Sequence, residues 1–306
     1  MHPDRRAQAA VSTTLVLWAT AFVAIRVALP GFGVAGLSLG RLLVAALALA
    51  AVAPFAHVRR PRRSDLARIA GCGLAGMTAY QLLLNAGERT VPAGTASLLV
   101  ATAPIAAALL AVALLHEGLG TRGRLGTAVG FAGAATMALG QSGGVRLSAD
   151  ALLLLAAAAS QATFFVLQKP LLFRYSGLEV TCYAMWAGAV FSLPLAPWLL
   201  HDLGHTRARP LAALVFLGLA PSAIGFVTWA YGQARLPVAT VANTLYLVPL
   251  LAIGIGWWTL GEQVHPVALA GGALALAGVA IGRSRSPGVT SATPQDALTV
   301  RLSRQV

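Results

Sequence analysis

Ten apolar runs divide the chain, at residues 11–29, 33–53, 69–87, 94–115, 123–140, 149–168, 178–200, 211–232, 236–258 and 264–282. A hydrocarbon core roughly 30 Å thick is crossed by about 17–25 apolar helical residues, so each run predicts one membrane-spanning helix. Only Arg26 and Arg41 place a charge well inside a run, and Glu88 sits just past the end of the third. The polar gaps are mostly short and leave no room for a soluble domain. The expected fold class is an all-α integral membrane protein with ten transmembrane helices. Residues 1–10 form a short N-terminal segment, and residues 283–306 are polar enough to predict a disordered tail. Arg5-Arg6 followed by an apolar run ending in Ala19-Thr20-Ala21 mimics a cleavable leader. The run continues to Ile25 and resumes to Leu29, however, and nine more follow, so an uncleaved first helix is expected.

Composition strengthens this reading. Charged residues are 10% of the 306 and hydrophobic residues 58%, against about 25% charged in a soluble domain, so the bilayer is the expected solvent. The net charge of +13 would suit nucleic acid if one folded face carried it, but the arginines sit in the gaps between runs, as membrane topology requires. Nucleic acid is therefore not an expected partner. With the N-terminus inside, the inner segments hold 16 Lys and Arg residues, among them Arg59, Arg60, Arg62, Arg63 and Lys169. The outer ones hold four, Arg89, Arg146, Arg207 and Arg209. Both termini are expected in the cytoplasm. Cys72 and Cys182 have no metal-ligand spacing and read as packing residues.

Sliding the sequence by 145 residues superposes Gly87 on Gly232, Pro92 on Pro237, Thr95 on Thr240, Pro104 on Pro249, Glu117 on Glu262, Gly126 on Gly271 and Gly133 on Gly278. The chain has nine acidic residues, so a matched glutamate pair weighs more than matched glycines. A duplication is predicted, each copy with five spans. An odd number of spans inserts the second copy upside down, and the loops agree: Arg122 and Arg124 follow the fourth span, whereas no Lys or Arg follows the ninth. Two inverted five-helix repeats are the architecture of many secondary transporters, with the substrate near the midplane.

The stretches Asn85–Ala134 and Tyr231–Ile281, with the opening Leu17–Leu29 and Leu39–Ala50, resemble EamA domains of the drug/metabolite transporter superfamily. A mid-run proline, a glutamate and a glycine-rich helix recur twice with the same spacing. The resemblance implies a first EamA-like repeat over 11–140 and a second over 149–282. It also implies a cytoplasmic-membrane location and export or exchange of a small molecule, commonly an amino acid or related compound, with drugs and quaternary amines handled by relatives. The sequence departs from the family at His116, where glycine usually precedes the glutamate, and at Glu88, where an uncharged residue is usual.

The candidate substrate cavity is assembled from several runs. Trp18 and Phe22 share a helix face with Arg26, which either pairs with a substrate carboxylate or snorkels to the interface. Gln81, Asn85 and Glu88, bordered by Tyr80, form a polar stripe that must line a cavity or a helix–helix contact. Gln161 and Phe165 on the sixth run, Ser222, Gly225, Trp229 and Gln233 on the eighth, and Asn243 with Tyr246 on the ninth complete it. Asn243 is the leading candidate for direct substrate contact, because an amide both donates and accepts. Pro104 and Pro249 are expected to kink their helices and free carbonyls. Arg41 is either an anion-attracting lock or a snorkelling side chain. Glu117 and Glu262 either cap the next helix or form a gating salt bridge. The glycine faces of the fifth and tenth runs, Gly126, Gly130, Gly133 and Gly271, Ala275, Gly278, serve internal packing or a homodimer interface.

No catalytic constellation, phosphate loop or metal motif is present, so no enzyme activity, cofactor or metal is expected. The remaining alternatives are a drug or quaternary-cation efflux protein and, in a different class, a non-transporting membrane scaffold or sensor.

Overall fold

A computed structural model describes residues 5–103, 105–106, 110, 121–139, 149–233, 235, 244–245 and 247–283. All regular structure among them is helical: α1 (Arg5–Val52), α2 (Leu66–Gly71), α3 (Tyr80–Gly87), α4 (Ala93–Val100), α5 (Thr121–Leu139), α6 (Ala149–Gln168), α7 (Gly177–Ser192), α8 (Ala196–His205), α9 (Ala208–Leu217), α10 (Gly225–Gln233), α11 (Leu247–Leu260) and α12 (Pro266–Arg283). Four helical stretches, Arg5–Val52, Ala149–Phe173, Gly177–His205 and Ala208–Gly232, are long and apolar enough to cross a membrane.

The 48 residues of α1 would be about 72 Å long if unbroken, more than twice the hydrocarbon core. They are broken at Gly33, whose backbone (φ 56°, ψ −171°) lies in a region essentially reserved for glycine. The break falls where the first two predicted spans meet, so α1 supplies two arms. Gly40 brings the second arm close to Leu199 of α8 and Leu214 of α9.

The third and eighth predicted spans are each interrupted by wide π turns, over Cys72–Ala79 and Gly218–Ile224. These segments occupy corresponding positions in the sequence repeat. In the second, Pro221 removes a backbone donor that an α-ladder would need. Each π segment also accepts a bond from another helix: Ser160 Oγ donates to Ala75 O at 2.7 Å, and Trp18 Nε1 to Pro221 O at 3.1 Å.

The small-residue faces of α5 and α12 pack against each other, backbone on backbone. A Cβ on Gly133 would lie 2.6 Å from Gly271 O, and one on Gly278 2.6 Å from Gly126 O. Cys72 and Cys182 are free and buried in a second apolar cluster between the second arm of α1, the Cys72–Ala79 segment and α7. Large apolar side chains including Leu47, Phe131, Val190, Trp257 and Trp258 are exposed, as lipid-facing surface demands and a water-facing surface would not tolerate in such number.

Candidate functional site

The π turns and the break in α1 bring seven predicted site residues to one cavity in the middle of the bundle. Trp18, Phe22, Arg41, Tyr80, Gln161, Phe165 and Pro249 line it, joined by Ile25, Leu84, Ser97, Phe226 and Val248 among others. The unfilled space, including the open mouth, is about 870 Å³. Its wall is mainly apolar and aromatic: Trp18 lies 5.2 Å from both Phe226 and Trp229, centroid to centroid.

Arg41 is the charged member of this wall. It is 4% exposed, and Nε donates to Ser222 Oγ at 2.7 Å while Nη1 donates to Gln81 Oε1 at 3.0 Å. A guanidinium has five N–H donors, so these two bonds fix its plane and leave donors to face the cavity. Gln81 is thereby spent on orienting Arg41 and is not part of the wall. Asn85 behaves likewise: it is fully buried, and its Nδ2 donates to Ser38 Oγ at 2.8 Å. Gln81 and Asn85 of the predicted polar stripe thus serve helix–helix contacts, while Tyr80 beside them reaches the cavity.

Arg26 also lies outside the wall. Its Nε donates to Glu262 Oε1 at 2.9 Å, and Nη1 donates to the carbonyls of Glu88 at 2.7 Å and Arg89 at 2.9 Å. Glu262 Oε2 in turn accepts from Ala93 N at 2.7 Å, where a carboxylate is favoured by the exposed amides of a helix start. One carboxylate and one guanidinium therefore join the first arm of α1, the end of α3, the start of α4 and the end of α11. Glu262 caps α4, and not the helix that follows it. Beside this latch a vestibule is lined by Arg26, Leu29, Pro30, Arg89, Leu260 and Glu262.

A second polar lattice ties the loop after α1 to the start of α7. Arg59 holds Glu179 through a fork, Nε to Oε1 at 2.7 Å and Nη2 to Oε2 at 2.9 Å. Arg174 pairs with Asp65 at 2.9 Å, and Tyr175 Oη donates to the same carboxylate at 2.8 Å. The Tyr175 hydroxyl, with Arg174 as second contributor, holds the Asp65 carboxyl below its usual value, and the bond to Glu179 raises Arg59 above its own. Glu179 also closes a capping box with Ser176.

Three predicted elements need correction. Arg26, read as reaching a substrate carboxylate or snorkelling, is bonded within the protein, because Glu262 offers it a partner that no single run reveals. Trp229 is buried behind Trp18 and lines a smaller adjoining cavity with Phe164, Phe165 and Phe226. Pro249 falls in the first turn of α11, where a missing N–H is tolerated, and it meets the cavity without kinking the described helix. Pro104, Glu117, Asn243 and Tyr246 lie outside the described residues. Phe226 was missed, although it stands one turn after Ser222 on the eighth run.

The cavity, its aromatic wall and its multi-helix surroundings suit a small-molecule permease. The sequence profile of the EamA-like transporter family matches residues 6–139 and again 149–282. The chain belongs to that family. It is 52% identical over 279 residues to a protein of Streptantibioticus cattleyicolor named "Probable terminal-alkyne amino-acid exporter", covering 91% of this chain and 94% of that one. An uncharacterised transporter of Bacillus subtilis is 33% identical over 88% of each chain. A "Probable amino-acid metabolite efflux pump" of Salmonella typhimurium is 27% identical over 87% of this chain and 91% of the other. One solved crystal structure shares the fold at a TM-score of 0.61 and 20% identity, over 92% of this chain and 99% of that chain. As an EamA-like transporter, the chain is a multi-pass membrane protein that takes a small-molecule substrate.

Proposed function

We propose that this chain is a secondary transporter that exports an amino acid or closely related compound across a bacterial inner membrane by alternating access. The supporting frame is two inverted halves of five helices with both termini in the cytoplasm, as the 145-residue repeat and the distribution of arginines suggest. The observation that carries the substrate class is Arg41: a buried guanidinium, fixed in plane by Ser222 and Gln81, in the wall of a mainly apolar and aromatic cavity. A substrate carboxylate accepts from Arg41 in a charge-assisted pair, while an apolar side chain lies among Trp18, Phe22, Phe165 and Phe226. A lipophilic cation would gain from the aromatic faces but would be repelled by Arg41, which places amino-acid export ahead of drug efflux. The 52% identical amino-acid exporter points the same way.

Efflux from proteoliposomes preloaded with apolar amino acids and a lipophilic cation tests this reading. Faster loss of amino acids than from protein-free vesicles is expected. Loss of the cation alone would replace the reading with drug efflux, and no loss of either from folded protein would refute it.

A further inference from the structure

Glu88 stands at the C-terminal end of α3, under the latch, where its own carbonyl accepts from Arg26. Its side chain is fully buried, and among the described residues neither carboxylate oxygen has a hydrogen-bond partner. An ionised carboxylate held away from water without a bond is far costlier than its protonated form. One turn back on the same helix, the buried Oδ1 of Asn85 also lacks a donor. A protonated carboxyl supplies one O–H donor, which is what this corner of the protein is short of. The charged and titratable groups facing Glu88 are Arg26 and Arg41 from the two arms of α1, Glu262 from the end of α11, and Tyr80 from α3 itself.

We infer that Glu88 is a proton-binding site, and that its proton decides whether Arg26 remains on Glu262. When Glu88 is uncharged, Glu262 is the charged carboxylate bonded to Arg26 among the described residues, and the latch across α1, α4 and α11 stays closed. When Glu88 gives up its proton, Arg26 faces two carboxylates. The buried one attracts it more strongly, because charges interact more strongly away from water. Movement of the guanidinium to Glu88 frees Glu262 from Arg26 and opens the vestibule beside Leu29 and Leu260. The step consists of proton loss from one carboxylic acid and rebinding to its carboxylate. This rests on the transport reading above, and it adds that export is paired with proton exchange at the Glu262 end.

The test is the rate at which Leu29→Cys, in full-length protein in lipid nanodiscs, reacts with a polar maleimide across a pH series. The natural Cys72 and Cys182 are buried, and the unsubstituted chain provides the baseline. Reaction should speed up as pH rises, about tenfold for a coupling of one pKa unit. Adding Glu88→Gln, which stays uncharged, should leave only the rise with pH that thiol ionisation gives. Glu88→Asp, which still titrates, should restore the step. A rate that follows thiol ionisation alone, or a step that persists with Glu88→Gln, overturns the proposal. If the step is present but no amino acid is transported, the proton site stands and the transport reading falls.

Discussion

Replacing Arg41 with glutamine removes the cavity's guanidinium while keeping a side chain able to bond Gln81. The structure sets the size of the effect. Arg41 is buried and its two internal bonds, at 2.7 and 3.0 Å, hold the guanidinium in place before substrate arrives. A hydrogen bond to a charged group is worth about 1.5–3 kcal/mol, so losing the carboxylate contact should weaken binding about 10- to 150-fold. The decarboxylated amine never makes that contact, and its binding should change little or improve as the repelling charge goes. The assay is quenching of tryptophan fluorescence, for which Trp18 in the wall is a built-in reporter, with an apolar amino acid and its amine titrated in parallel. Wild type should prefer the amino acid, and Arg41→Gln should lose that preference. Arg41→Lys should restore it partly, since lysine keeps the charge without the planar fork. A folded Arg41→Gln protein that still prefers the amino acid would refute the assignment of Arg41 to the carboxylate.

Three other outcomes are expected. Glu262→Gln should weaken the latch by about 1 kcal/mol, a value kept low because the pair is partly exposed, and should raise maleimide labelling of Leu29→Cys roughly fivefold; unchanged labelling would show that the pair does not hold the vestibule shut. Gly278→Ala should cost about 1–3 kcal/mol by forcing α5 and α12 apart, seen as a lower thermal midpoint, whereas Gly254→Ala, with nothing within 4 Å, should be neutral; equal midpoints would contradict the backbone contact. Asp65 is held below its unfolded pKa of about 3.9 by Tyr175 and Arg174, so its contribution is complete above that value and lost as pH falls through the lower folded value. Thermal midpoints of wild type and Asp65→Asn should therefore differ near neutrality and converge below about pH 4; a constant difference would argue against the lattice.

What the sequence made legible follows from how local each signal is. Apolar run length fixes where helices lie, and α6 coincides with its predicted run at 149–168. The pairing of α5 with α12 was latent in two glycine faces that had either each other or a second copy as partner. Side-chain destinations were harder to read. The spacing of Gln81, Asn85 and Glu88 identifies a face that avoids lipid, yet spacing cannot distinguish a cavity from a neighbouring helix carrying Arg41 and Ser38. The bond between Arg26 and Glu262 joins residues 236 apart in the chain, and only the arrangement of the helices brings them together. The π turns left one trace in the second segment, Pro221, and none in the first, where Ser160 reaches in from another helix.

The two π turns have a mechanical meaning. Each holds one residue more than an α-turn would, a stored residue in a helix that otherwise advances by about 100° and 1.5 Å per residue. Were the Cys72–Ala79 segment to relax into α register, everything beyond it would turn by one such screw step relative to everything before. Tyr80 and Leu84 would swing out of the cavity wall, and the end of α3, with the Glu88 carbonyl that Arg26 grips, would move with them. A counterpart over Gly218–Ile224 makes the same stroke available to Phe226 and Trp229. Two short slips of register, and no bending of whole helices, would then suffice to reshape both walls of the cavity at once.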